Sequence, residues 1–89
     1  VGDWRMTRLL FFGRARDAAG CSEMICELPT SIETVAELRT WLHQRDPELG
    51  SVLMARDIRV AADHTICVSE AASVRGASEI AFMPPMSGG

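Results

Sequence analysis

"RMTRLLFFG", residues 5–13, is the stretch on which the fold turns. Read as a strand, it puts Met6, Arg8, Leu10 and Phe12 on one face and Thr7, Leu9 and Phe11 on the other. From Leu9 onward both faces are apolar, and a strand apolar on both sides belongs inside its sheet rather than at its edge. The remaining elements therefore have to be arranged around it.

Downstream, "RARDAA" (14–19) is polar and alanine-rich and is closed by Gly20, which suits one or two helical turns with a glycine stop. "EMICEL" (23–28) alternates, with Met24, Cys26 and Leu28 inward and Glu23, Ile25 and Glu27 outward, until Pro29 ends it. Thr34 opens a helix and Glu37 completes a capping box. Val35, Leu38, Trp41 and Leu42 recur at helical spacing, so Trp41 is read as core. That helix should stop near Asp46, because Pro47 follows, with Gly50 marking a turn beyond. Residues 58–62 and 65–69 form a hairpin about Asp63-His64, and His64 is expected to be solvated at its tip. "VRGAS" (74–78) reads as a turn, and "EIAFM" (79–83) is a last strand stopped by Pro84 and Pro85.

Strand, strand, helix, hairpin and final strand make an α+β class, with one main helix across a mixed sheet of about five strands. With the first strand central, the last must run parallel beside it. This arrangement resembles the β-grasp of ubiquitin. The expected organisation is an N-terminal extension (1–5), a β-grasp domain (6–83) and a flexible carrier tail (84–89).

Composition limits the function. An apolar share of 47% excludes disorder, and a net charge of −3 argues against nucleic acid as a partner. No apolar run approaches a membrane span, and residues 1–5 do not read as a signal peptide, so a cytoplasmic chain is expected. All nine basic residues are arginine, so no side-chain amine can form a Schiff base or accept the chain's own C-terminus. Cys21, Cys26 and Cys67 have no CxxC spacing and fit reduced thiols. Cys26 and Cys67 are read as core and Cys21 as exposed. With His43 and His64 they match no standard zinc spacing.

The remaining stretch is "FMPPMSGG", 82–89. Pro84-Pro85 bias the backbone to polyproline II and stiffen the exit from the last strand. Six residues from Pro84 reach roughly 20 Å. Gly88 and Gly89 carry no side chain and can thread a channel one backbone wide. The only reactive group there is the Gly89 carboxylate, a poor electrophile until activated, for example as an acyl-adenylate.

"LLFFGRARDAAG" (9–20), "TVAELR" and "EIAFMPPMSGG" (79–89) together resemble the small, sulfur-carrier subunit family of molybdopterin synthase. The resemblance covers nearly all of residues 6–89. It implies that an ATP-dependent enzyme of the ubiquitin-activating type adenylates Gly89 and that a sulfurtransferase converts it to a thiocarboxylate. The tail (Pro84, Pro85, Met86, Ser87, Gly88, Gly89) then enters the synthase large subunit in a heterotetramer and gives its sulfur to cyclic pyranopterin monophosphate. Acid–base residues are expected in the large subunit, with no cofactor or metal bound by the carrier. The family's docking patch falls by position on Phe12, Ile66 and Met83, with Arg16 at its rim; the competing reading is that these fill the core. Met83 stands where an aromatic is common, Met86 where a β-branched residue is usual, and Ala77-Ser78 where Gly-Asp is frequent. Three alternatives stay open: a carrier for thiamine or cysteine synthesis, a ubiquitin-like modifier, and an interaction module with a passive tail. Carriers of the first kind generally lack the Phe-x-Pro-Pro stem.

Overall fold

The computed structural model describes residues 4–85. It contains β1 (Trp4–Phe11), α1 (Arg14–Ala19), β2 (Glu23–Pro29), α2 (Val35–Arg45), α3 (Pro47–Leu53), β3 (Arg59–Ala62), β4 (Thr65–Cys67) and β5 (Glu79–Met83). The five strands form one sheet in the order β2-β1-β5-β3-β4. β1 runs parallel to β5, and the other pairings are antiparallel. This is the β-grasp topology expected, with β1 inside the sheet.

The helices cover one face only. Leu9, Phe11, Leu28, Ile80, Phe82 and Val60 point toward α2 and α3 and pack with Val35, Leu38, Leu42, Leu49 and Leu53 into a single core. The rings of Phe11 and Phe82 stack with centroids 5.8 Å apart. On the uncovered face Leu10 is half-buried and Phe12 exposed. The apolar character of both faces of β1 therefore marks its central place without a second layer to bury its outer side.

Local chemistry sets the element ends. Thr34 Oγ1 accepts from Glu37 N, and the Glu37 carboxylate accepts from Thr34 N, closing the capping box. The first N–H groups of α2 are satisfied by the following loop: Val35 N donates to Ala72 O and Ala36 N to Glu70 O. Asp63 and His64 take φ of 48° and 73°, the left-handed pair that a two-residue hairpin turn requires. The Asp63 carboxylate accepts from Ser78 N and Glu79 N and so ties the hairpin to the start of β5.

Three expectations need correction. Trp4 and Arg5, expected in the extension, open β1 and pair with Pro29 and Leu28. The turn expected around Gly50 is α3. Pro47 does not merely end α2: it occupies the first turn of a new helix whose cap, Asp46 Oδ1, accepts from Leu49 N. Gly50 lies in that helix against α2, where a Cβ would stand 2.1 Å from His43 Cα. Trp41 is half-buried rather than core, with the Arg45 guanidinium 4.8 Å from its ring centroid.

Arg39 joins the helices to the sheet. It is 4% exposed and donates to the carbonyls of Leu53, Ala55 (3.1 Å) and Ile58 (2.9 Å), and through Nε to Glu70 (3.0 Å). The segment between α3 and β3 is thereby shaped around one guanidinium.

Two glycines fix close approaches and can be tested by unfolding. Gly50→Ala forces α2 and α3 apart and is expected to cost about 2–3 kcal/mol, a fall in Tm on the order of 10–20 °C. Gly13, at φ 59° and ψ −132°, has space for a Cβ only 3.1 Å from Pro84 Cγ. Gly13→Ala is expected to cost about 1–3 kcal/mol of backbone strain. An unchanged thermal midpoint in either variant would contradict the packing described.

Candidate functional site

Because β1 and β5 are parallel and in register through Phe11 and Phe82, both strands finish at the same end of the sheet. Phe12 N donates to Phe82 O (3.0 Å), which carries the pairing one residue past β1. Pro84 and Pro85 follow β5 and are exposed. Pro84 rests beside Gly13, so the chain leaves the domain over the β1–α1 corner. Met86, Ser87, Gly88 and Gly89 lie outside the described residues.

The register builds a patch beside this exit. Leu10, Ala81, Ala61 and Ile66 are successive partners across β1, β5, β3 and β4, all on the face away from the helices. One row nearer the exit are Phe12 and Met83, the latter opposite Arg59. Phe12 is 46% and Ile66 43% exposed and Met83 is half-buried, none of the three belonging to the core cluster, while Ala61 and Ala81 between them are themselves buried. Phe12, Ile66 and Met83 thus share one surface, which disposes of the core-filling reading for all three. Sequence reading missed Leu10, Ala61 and Ala81, although strict alternation about Phe11, Val60 and Phe82 was enough to find them. Arg16 is exposed on α1, past the corner and to the side of the patch.

Charge bounds the patch on its far side. Arg8 lies between Glu79 (2.6 Å) and Glu23 (3.4 Å), forming a belt across β5, β1 and β2. Its hydrogen bond to Glu79, with the charges of both carboxylates, raises the guanidinium above its ordinary range. Arg8 stays a cation, and the belt keeps the apolar rows confined to the exit end. Ile25, the cross-strand partner of Arg8, and Met6 and Trp4 beyond it on β1 are exposed as well, away from the exit.

The remaining candidates are separated. His64 is at the hairpin tip, with Nε2 3.7 Å from Glu79. Cys26 is buried, Cys67 half-buried, and Cys21, expected to be exposed, is half-buried against the core. Burial pushes the Cys26 thiol upward, so it remains protonated at neutral pH. Among the described residues no three His, Cys, Asp or Glu side chains are grouped to hold a metal, and no helix is long and apolar enough to cross a membrane.

Comparison with known proteins agrees with this geometry. Residues 9–89 match the ThiS family model. The molybdopterin synthase sulfur carrier subunit of Mycosarcoma maydis is 31% identical over 85 residues, covering 92% of this chain and 91% of that protein. Among solved structures, SAMP1 from Haloferax volcanii superposes with a TM-score of 0.71 at 20% identity, covering 96% of this chain and all of that one. The small archaeal modifier protein 1 of Methanosarcina acetivorans gives a TM-score of 0.70 at 21% identity, covering 99% and 100%. With this fold, and with a family match running from the central strand to the last glycine, the chain belongs to the ThiS family of β-grasp sulfur carriers.

Proposed function

We propose that this chain is the sulfur-carrier subunit of a molybdopterin synthase. The observation that carries the reading is the joint position of stem and patch: exposed Pro84-Pro85 leave the sheet beside the row Leu10, Ala81, Ala61 and Ile66. A partner seated on that row receives the tail at a fixed point. The relative of matching length, a subunit by name, supports the same role.

In this mechanism a Gly89 carboxylate oxygen attacks the α-phosphorus of ATP on a ubiquitin-activating-type enzyme, and pyrophosphate leaves. The terminal sulfur of a sulfurtransferase persulfide then displaces AMP from the acyl carbon, and a thiol reductant cleaves the resulting acyl disulfide to give the thiocarboxylate. On the large subunit this sulfur is transferred to cyclic pyranopterin monophosphate, and the dithiolene of molybdopterin is formed from two such transfers. Proton transfers belong to the large subunit. The carrier's contribution is placement: binding on the patch makes the sulfur transfer effectively intramolecular. Phe12, Ile66 and Met83 dock, Arg16 lies at the rim, and residues 84–89 fill the channel. Met83 is a flexible thioether at the exit end of a surface that must serve several partners in turn, which suits adaptable contacts. A cytoplasmic setting goes with this reading, and the three free thiols agree with it.

The archaeal modifier relatives in fold give a second reading, a ubiquitin-like tag joined to lysines of other proteins. Intact mass separates the two. With activating enzyme, ATP and a sulfur donor, the carrier exchanges one terminal oxygen for sulfur, and adding large subunit and precursor returns the original mass. Persistent amide-linked adducts on other proteins, without pterin-dependent unloading, would support the modifier. Deleting Gly89, or Gly88→Leu, is expected to abolish loading while leaving stability within about 0.5 kcal/mol, as for other surface changes. A large thermal loss in either variant would mean that the tail is part of the fold.

A further inference from the structure

The nine arginines fall into two groups. Six have partners inside the fold. Arg5 donates to Val74 O, Arg8 binds Glu23 and Glu79, Arg14 binds Asp57, and Arg75 approaches Glu33. Arg39 holds Glu70 and three carbonyls, and Arg45 covers Trp41. Among the described residues the other three, Arg16, Arg56 and Arg59, make no ion pair, side-chain hydrogen bond or ring contact.

Two of them lie at the end from which the tail departs. Arg59 is the cross-strand partner of Met83, the last residue of β5. Arg56 and Arg59 line a cleft of about 550 Å³ that Pro85 also borders. Arg16 follows Gly13, the residue against Pro84, by three positions. The carboxylates of the cleft are already engaged, Asp57 by Arg14 and Glu70 by Arg39. A chain with a net charge of −3 thus presents unneutralised positive charge where its tail begins.

We propose that Arg56 and Arg59 form a cationic collar on the β3 side of the stem, which docks onto aspartate or glutamate side chains around the mouth of the partner's tail-accepting channel. The inference rests on the carrier reading above. The apolar row buries area but tolerates sliding along the sheet. A guanidinium fork on a carboxylate fixes direction and register, and supplies geometry that greasy contacts lack. The overall negative charge repels acidic surfaces, and only an approach with the collar foremost is attractive. Orientation is thereby selected during encounter.

The test measures association of the full chain with purified large subunit, and separately with the adenylating enzyme, across a range of NaCl. The variants are Arg56→Glu/Arg59→Glu, the milder Arg56→Gln/Arg59→Gln, and Arg75→Glu on the far side as control. Wild type is expected to associate more slowly as salt rises. The Glu pair should lower the low-salt association rate roughly 10- to 100-fold, within the range of electrostatic steering, and flatten the salt dependence. The Gln pair should fall between, Arg75→Glu should match wild type, and the melting temperature identifies any variant that is misfolded. Reversing acidic residues at the partner's channel mouth should restore the Glu pair. If both double variants bind like wild type, the collar is wrong and the carrier role stands. If wild type binds neither enzyme at any salt, the carrier role fails and the collar fails with it. Equally tight, collar-dependent binding to a DNA oligonucleotide would also overturn the proposal, by assigning the charge to phosphate.

Discussion

The parallel pairing of β1 with β5 is the constraint on which everything else in this domain depends. It brings the first and last strands of the chain side by side, and the Phe11–Phe82 stack locks their register from the core side. Each buried phenylalanine contributes about 1.5–3 kcal/mol, and their mutual contact adds roughly 0.5–1.5 kcal/mol. Both residues lie within two positions of the point where the chain leaves the sheet. The root of the tail is therefore anchored by some of the most deeply buried side chains in the molecule, although Pro84 and Pro85 themselves are exposed. A tail rooted in a fraying strand would sample many directions. This one starts from a direction set by the hydrophobic core.

The same pairing explains why the sheet can serve as core on one side and contact surface on the other. Strand alternation sends Leu9 and Phe11 inward and Leu10 and Phe12 outward, with Ile80 and Phe82 against Ala81 and Met83 in β5. Small residues at the centre of the outer row, Ala61 and Ala81, leave it flat, while Phe12 and Ile66 stand at its sides. A domain this small has one core to bury and cannot cover a second face. What limits the exposed apolar area is the Arg8 belt with Glu23 and Glu79, whose charges stand between the row at the exit and the exposed Met6 and Trp4.

Much of this was legible because local signals agreed with the global fold. The capping box at Thr34 and Glu37, the alternation in residues 23–28, the turn at Asp63-His64 and the proline stop after Met83 each act within a few residues, and each appears where the sequence places it. The misreadings have a common origin in long-range packing. Pro47 and Gly50 look like breakers, yet proline is suited to the first turn of a helix, and α3 needs a residue without a Cβ to lie against His43. Arg39 carries no reading of its own, because only the meeting of α2 with the segment 53–58 surrounds it with carbonyls. Trp4, outside the stretch read as the first strand, is brought into it by pairing with Pro29 of β2. The site divides the same way. Phe12, Ile66 and Met83 could be placed from the resemblance, whereas the partnerless state of Arg56 and Arg59 depends on which carboxylates the fold gives to Arg14 and Arg39.

The distribution of reactive groups argues for where the sulfur is carried. A protein can hold transferable sulfur on a cysteine or on an activated carboxyl. Among the thiols here, Cys26 is enclosed by the core and its protonated form is favoured by burial, while Cys21 and Cys67 pack half-buried against the same cluster. A persulfide on Cys26 would have to move through packed side chains to reach a partner's cavity. Cys67, in the cleft that Pro85 borders, and Cys21, beside α1, are fixed to the body of the domain rather than carried on its stem. The stem that leads toward the terminal carboxyl starts at the surface, with Pro84 and Pro85 exposed beside an apolar row and near Arg56 and Arg59. On the proposed reading the domain contributes no acid, base or metal to the reaction. It roots the stem of the tail in its core and leaves bond-making to the enzymes that receive it.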